Sequence, residues 1–150
     1  QEAAGDLRQA AQANPGEAQA AFERAIALRE TLQRIFVAVA SGDPPRPADL
    51  DTFNVALTEA LAHLYVSASA EGFAWRWAGE GQNLDRPVWP LLWTAADLLT
   101  SEDLDRVKQC EGCGWLFVDG SRNHSRRWCD MRFCGNRAKA RRHYARQMKK

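Results

Sequence analysis

Four cysteines are the residues of this chain whose types and spacing point most directly to chemistry. Two residues separate Cys110 from Cys113, four separate Cys129 from Cys134, and fifteen lie between the two pairs. This is close to the spacing of two zinc knuckles, in which each loop supplies two thiolates to one tetrahedral ion. The pattern favours a single structural Zn²⁺ with Cys110, Cys113, Cys129 and Cys134 as its ligands.

Other uses of the same cysteines stay open at this stage. Two disulfides would occupy all four, but the chain shows no secretory segment and has no further cysteines for a disulfide framework. Free thiols are a third reading. His124 or His143 could replace a cysteine as ligand, although a surface or supporting role suits them better once four cysteines are matched.

The residue pattern argues against an enzyme. A zinc site of four thiolates is closed, whereas a catalytic zinc keeps an open position and carries fewer thiolates. No Ser/His/Asp or Cys/His triad, phosphate-cradling glycine loop or HExxH motif can be assembled from the sequence. We therefore expect a binding protein.

The charge of the chain is divided very unevenly between its two ends. Residues 120–150 contain eleven Lys or Arg and one Asp, 11 − 1 = +10, so that the first 119 residues carry 9 − 18 = −9. A block this basic is the electrostatic footprint of a polyanion partner, because each neutralised phosphate releases counterions. The tail predicts contact with nucleic acid, and double-stranded DNA is the partner we expect.

A helix that begins at or just before Cys134 and runs to the end of the chain would present this charge. Basic side chains recur on it at helical spacing in two neighbouring rows, and the hairpin before it adds more arginines. Asn136 could read adenine, but capping the helix suits it better. The residues expected to contact DNA are Arg122, Arg126, Arg127, Asn136, Arg137, Lys139, Arg141, Arg142, Arg146 and Lys149.

The motif around the second cysteine pair resembles a known family. Residues 134–137 read Cys-Gly-Asn-Arg, preceded by Ser-Arg-Arg-Trp-Cys at 125–129 and followed by Ala-Lys-Ala-Arg at 138–141. Residues 115–119 and 121–123 also fit, so the chain is similar to the bacterial CGNR zinc finger from Cys110 to Arg142. Members usually carry this finger behind a mainly helical domain called ABATE and are regarded as candidate stress-related transcription regulators.

The resemblance implies zinc at the four cysteines, one ion per chain, and DNA binding by the finger. An adaptor whose finger docks an acidic protein surface is the alternative. A homodimer through the N-terminal domain and a small-molecule effector are further partners that the sequence leaves open. With no run of 18 apolar residues and no targeting segment, we expect no membrane span and a cytoplasmic location.

The elements that must position the finger read mainly as helices. One is expected over 2–13, a second from Asn14 as N-cap to the breaker cluster after Ser41, and a third from about Pro47 with Leu64 on its apolar side. The third is followed by a β-hairpin over 65–77. A fourth helix opens at Pro87 or Pro90 with inward-pointing Leu91, Leu92, Ala95, Leu98 and Leu99.

In the finger we expect a strand over 115–119, a turn, and a return through 126–128 to the second knuckle. The predicted fold class is α+β: a mainly helical N-terminal domain with a β-hairpin, then a small treble-clef-like zinc finger ending in a basic helix. We expect the domains to span 1–104 and 105–150. Gln1 is not an initiator methionine and the usual first strand of an ABATE domain is not found, so we expect the natural N-terminus to lie upstream.

Four tryptophans, Trp75, Trp77, Trp89 and Trp93, are crowded into 19 residues. They could line an aromatic pocket for a small effector. Packing of the hairpin against the fourth helix is the more ordinary use of such residues, and it is the one we expect.

Overall fold

The computed structural model describes residues 2–78 and 83–148, with the side chains of 2–4 left out. By its internal contacts the chain divides into two units, Gln1–Gln33 with Arg46–Thr100, and Arg34–Pro45 with Ser101–Lys150. The five α-helices of the described residues are α1 (Glu2–Ala13), α2 (Pro15–Ser41), α3 (Pro47–Leu61), α4 (Trp89–Thr100) and α5 (Asn136–Gln147). Among the described helices, none combines the length and the apolar character needed to cross a membrane.

Local sequence signals set the limits of the first three helices. The Asn14 side chain accepts a hydrogen bond of 3.2 Å from the Glu17 backbone N–H, which confirms the predicted cap between α1 and α2. α2 ends at Ser41, where Gly42 takes a φ of +77° that residues with a Cβ rarely adopt. Pro47 opens α3 at the first helical position, where its missing N–H costs nothing.

The predicted hairpin consists of β1 (Leu64–Ser69) and β2 (Gly72–Trp77), which pair antiparallel with Val66 opposite Trp75 and Ala68 opposite Phe73. The helical pattern expected to include Leu64 ends earlier, at Leu61, and Leu64 is the first strand residue. Apolar residues can serve either element, so periodicity alone could not place this boundary.

Packing within the first unit accounts for most of the tryptophan cluster. Trp89 is buried, lies parallel to the His63 ring at a centroid distance of 4.0 Å, and meets Trp77 at 6.1 Å. Trp75 contacts Trp93 on α4 at 6.0 Å. These contacts are those of a hairpin packed on a helix, as expected.

The fourth helix begins at Trp89, directly after a short 3₁₀ turn over Arg86–Val88. Leu92 and Ala95 are buried as predicted, but Leu91 is 62% exposed, so its inward assignment was wrong. A helix at the surface of a domain buries the side chains of one face only, and here that face carries Trp89 and Leu92. The polar sequence over 79–85 predicts a loop before α4, and residues 79–82 of that stretch lie outside the described residues.

The finger is built on a small antiparallel pair, β3 (Val107–Gln109) and β4 (Leu116–Val118). The expected return through 126–128 is not a strand; β4 pairs instead with the segment that precedes the first knuckle. A π-helical turn, Met131–Gly135, leads directly into α5. The first knuckle and the terminal helix of the predicted finger are present, whereas its antiparallel pair joins the segments before and after the first knuckle.

Candidate metal centre

The two cysteine pairs meet at one point between the β3–β4 connection and the π-helical turn. All four sulfur atoms lie within 4.8 Å of one another, and the group comprises Cys110, Cys113, Cys129 and Cys134. Among the described residues this is the one such cluster of Cys, His, Asp or Glu, so neither His124 nor His143 belongs to it. All four cysteines are free, which excludes the disulfide alternative for this structure.

The sulfur positions fit a tetrahedral zinc ion. Zn–S bonds of about 2.3 Å require sulfurs about 3.8 Å apart at the corners of a tetrahedron. Cys113 Sγ lies 3.7 Å from Cys129 Sγ, which lies 3.9 Å from Cys134 Sγ. The donor set therefore suits Zn²⁺, which four thiolates would hold in a closed, structural site.

The four neighbouring thiols of the cluster affect each other's ionisation, and a bound cation would favour their thiolate forms. Burial alone would raise the pKa of Cys110, but backbone N–H groups of Cys129, Gly112 and Cys113 outweigh it and lower that pKa to about 6. The neighbouring Cys113 thiol, and then burial, raise the pKa of Cys134 to about 12. Four adjacent sulfurs cannot all ionise unaided, so metal binding must release protons and weaken as the pH falls.

Two glycines give the first knuckle its shape. A Cβ on Gly112 would lie 3.2 Å from Cys134 Cβ, which is tighter than ordinary packing, and 3.6 Å from Trp128 Cδ1, which is an ordinary contact. Gly114 has a φ of +74°, in the left-handed region that suits glycine. The short backbone of the first knuckle can thus turn tightly and approach the second.

A buried carboxylate, which sequence reasoning did not single out, organises the loop between the cysteine pairs. Asp119 is fully buried and accepts hydrogen bonds from the backbone N–H groups of Ser121 at 3.0 Å and Arg126 at 2.9 Å. Lys108 Nζ donates to it at 2.9 Å and also to the backbone oxygen of His124. Burial opposes ionisation, but these donors hold the pKa of Asp119 well below its usual range.

Two of the three arginines before the second cysteine pair that were predicted to contact DNA have partners within the finger. Arg126 donates to the Cys129 carbonyl at 2.5 Å, and its guanidinium lies 5.2 Å from the centre of the Phe117 ring. Arg127 forms a bidentate pair with Glu111, whose Nε–Oε1 distance is 2.6 Å. Arg122 lies exposed in the loop after Asp119.

Asp130, not Asn136, caps the helical segment after Cys129. Its Oδ1 accepts from the backbone N–H groups of Arg132 at 2.6 Å and Phe133 at 3.1 Å. Because the helical path begins with the π-turn at Met131, Asn136 already lies inside it, and the capping role expected for Asn136 was wrong. The Asn136 side chain is exposed at the start of α5.

The structure brings most of the other predicted DNA contacts together on α5. These residues are exposed, and α5 contains no acidic residue. Within the described ranges they form no salt bridge. They are Arg137, Lys139, Arg141, Arg142 and Arg146; Lys149, also predicted, lies outside the described residues.

Sequence reasoning missed Glu111, Asp119 and Asp130. A signal was available for two of them, since Asp119 and Asp130 are acidic residues within or beside a strongly basic segment. Such a segment surrounds a carboxylate with donors, and a buried carboxylate needs hydrogen-bond donors. Glu111 carried no comparable signal, because its partner Arg127 is sixteen residues away.

Comparison with known families gives two matches that together span nearly all of the chain. Residues 106–147 match the family model described as the CGNR zinc finger. Residues 2–102, about two thirds of the chain, match the ABATE model, described as "Putative stress-induced transcription regulator". Neither description is that of an enzyme, and no curated protein gave a match. The two matches confirm the resemblance drawn from the cysteine and arginine motifs.

Proposed function

Because this chain belongs to the ABATE family and carries a CGNR zinc finger behind that domain, we propose that it is a zinc-dependent, DNA-binding transcription regulator. The finger contacts duplex DNA through α5, and the helical N-terminal domain regulates that contact or dimerises. The limits 1–104 and 105–150 are our proposed domain division.

The observation that carries this proposal is the composition of α5. Five of its twelve residues are Lys or Arg and none is acidic. With its side chains an α-helix is about 10–12 Å across, which fits the major-groove width of about 12 Å, and α5 is about 18 Å long. Cations left without acidic partners on an exposed helix keep their attraction for phosphates, and the arginines can also bind guanine through two hydrogen bonds.

Zinc has a structural role in this proposal. Bound by the four cysteines, it would tie the first knuckle to the π-turn from which α5 begins, and so orient the basic helix. The remaining orientation is supplied by protein groups: Asp130 caps the turn, and Asp119 holds the loop that carries Arg122, Arg126 and Arg127.

The proposal is tested by titrating the zinc-loaded chain with random-sequence duplex DNA over a range of salt concentrations. We expect a log–log slope of about −3 to −4.5, which corresponds to three to five neutralised phosphates. Chelation of the metal should abolish binding, and readdition of zinc should restore it. No binding, or binding that ignores salt, would contradict DNA recognition.

An adaptor function has one observation in its favour. Trp115 is 70% exposed and Phe133 71% exposed on the finger, and large exposed aromatic side chains are typical of protein interfaces. An acidic protein partner would be bound without the phosphate-dependent salt slope. The same titration therefore separates this candidate function from DNA binding.

A further inference from the structure

A groove lies beside the metal centre, between the first knuckle and the first turns of α5. Its volume is about 240 Å³, and its lining includes Glu111, Arg127, Trp128, Arg137, Arg141 and Arg142. Sites for small organic ligands usually occupy about 300–1,000 Å³ and are mainly apolar. The groove is smaller and carries four guanidinium groups and one carboxylate, 4 − 1 = +3. Cys134 also lines it, and Zn²⁺ with four thiolates would add −2, so the net charge of +1 still suits a compact anion.

The four arginines of the groove are not equivalent. Arg137, Arg141 and Arg142 project from α5 and have no acidic partner among the described residues. Arg127 lines the same groove with its guanidinium 5.2 Å from the Trp128 ring centre, and Glu111 accepts from its Nε–H and one Nη2–H. While Glu111 holds this edge of the guanidinium, its carboxylate neutralises the charge that Arg127 would offer to an anion.

The Glu111 carboxylate accepts paired hydrogen bonds from the Arg127 guanidinium, as a phosphate group would. The planar guanidinium fork binds carboxylate and phosphate oxygens with the same paired hydrogen bonds. Both Glu111 and Arg127 are exposed, with side chains 49% and 57% accessible, so their pairing contributes little and can be exchanged. An entering phosphate could replace the carboxylate without any change in the path of the backbone.

We propose that this groove is the seat of one backbone phosphate of bound duplex DNA, and that Glu111 is a gate that competes with that phosphate for Arg127. This inference rests on the proposed DNA-binding function and adds a specific site and a controlling residue to it. In the free finger Arg127 is neutralised by Glu111; in the complex it joins the arginines of α5 around the phosphate.

A double-mutant cycle tests the gate. Glu111→Gln should tighten binding to duplex DNA by about fivefold at low salt, the upper range for release of an exposed ion pair. The gain should vanish when Arg127→Ala is combined with it, because no guanidinium is left to release. Glu102→Gln is the matched control: it removes an exposed carboxylate of the same unit that lies outside the groove.

The gain in DNA affinity from Glu111→Gln could persist in the Arg127→Ala background, or Glu102→Gln could produce the same gain. Either result would show that Glu111 only repels DNA through its charge, and would overturn the gate. No gain at all in a folded, zinc-loaded Glu111→Gln variant would overturn it as well. In these cases the wild-type chain still binds DNA, so the proposed function survives. Absence of DNA binding by the wild-type chain would overturn both.

The wild-type chain offers a second readout that needs no substitution. The Nε–H signal of Arg127 in a ¹⁵N NMR spectrum should shift on addition of duplex DNA as its partner changes. The signal of Arg126 should stay in place, because the guanidinium of Arg126 is engaged with the Cys129 carbonyl. An Arg127 signal that keeps its free position at saturating DNA would overturn the exchange.

Discussion

At the scale of single residues, Asp119 is the group on which the finger loop depends. It is a buried charge whose oxygens are all used: Ser121 and Arg126 donate backbone N–H groups, and Lys108 supplies the countercharge. Buried ionised groups persist only when such partners are complete. The residue therefore links β3, β4 and the segment leading to Cys129 through one side chain.

We expect Asp119→Asn to lower the melting temperature of the zinc-loaded finger by about 5 °C or more. The amide keeps the shape of the carboxylate, but its NH₂ group faces donors and leaves Lys108 without a countercharge. Thermal melts monitored by circular dichroism measure the loss. The control is Asp105→Asn, at an exposed site of the same unit, and an equal shift in both variants would contradict the special role of Asp119.

We also expect the difference in melting temperature between wild type and Asp119→Asn to depend on pH. The folded-state pKa of Asp119 lies below its unfolded value of about 3.9. In acid the folded state therefore binds fewer protons than the unfolded state, and the protein loses stability as the pH falls below about 5. Above about pH 5 the carboxylate is ionised in both states and its contribution is constant. The melting difference between wild type and Asp119→Asn should therefore be flat from pH 8 to pH 5. A difference that grows as the pH falls from 7 to 5 would show that the folded-state pKa is raised and not depressed.

At the scale of elements, the close approach of the first knuckle to the π-turn holds the two cysteine pairs together. The knuckle is tied by the bond from Gly114 N–H to the Cys110 carbonyl, 2.8 Å, and by Gly112 N–H to Cys110 Sγ, 3.4 Å. Across from it the π-turn presents Cys134. A π-turn within a helix is common at functional sites, and here it brings a ligand to the helix start.

We expect Gly112→Ala to weaken zinc binding by about tenfold or more, since forcing a methyl group into a close contact costs about 1–3 kcal/mol. The added carbon would press on Cys134, which is one of the four proposed zinc ligands. Competition with a chromophoric chelator measures the affinity. Gly120→Ala is the matched control because a Cβ there meets nothing within 4 Å. Equal affinities for the two variants would argue against tight knuckle packing.

At the scale of the whole molecule, the chain combines an acidic majority with a basic end. Residues 1–119 carry −9 and residues 120–150 carry +10. Duplex DNA repels the former and attracts the latter, so binding should be confined to the finger even though the net charge is +1. The finger has few buried apolar side chains, and we expect the metal to supply much of its folding free energy.

Removal of zinc should therefore unfold one part of the molecule and spare the other. We expect one zinc per chain, and expect chelation or Cys129→Ser to remove the helical signal of the finger while the tryptophan signals of Trp75, Trp77, Trp89 and Trp93 persist. Metal analysis, far-ultraviolet and near-ultraviolet circular dichroism measure the three quantities. Full helicity and full metal content in Cys129→Ser would contradict the four-cysteine site.

Much of this protein follows from local patterns in its sequence. The ligand set follows from cysteine spacing, the limits of α1 to α3 from caps, prolines and a breaker cluster, the β1–β2 hairpin from alternation, and the basic surface of α5 from helical spacing. Each of these signals lies within one continuous stretch of the sequence, the cysteine pattern running from Cys110 to Cys134. The chemistry that produces them is therefore visible without knowing how the chain folds back on itself.

What the tertiary structure alone decided are the partnerships between distant residues. The pairing of β4 with β3, the donors gathered by Asp119, the capture of Arg127 by Glu111 and the exposure of Leu91 join or separate groups that no periodic pattern connects. Basic side chains look alike in a sequence, yet Arg126 donates to a carbonyl inside the finger while Arg141 has no acidic partner among the described residues. The physical reason is that the role of a guanidinium depends on its hydrogen-bond acceptors, and the folded backbone decides which acceptors lie within its reach.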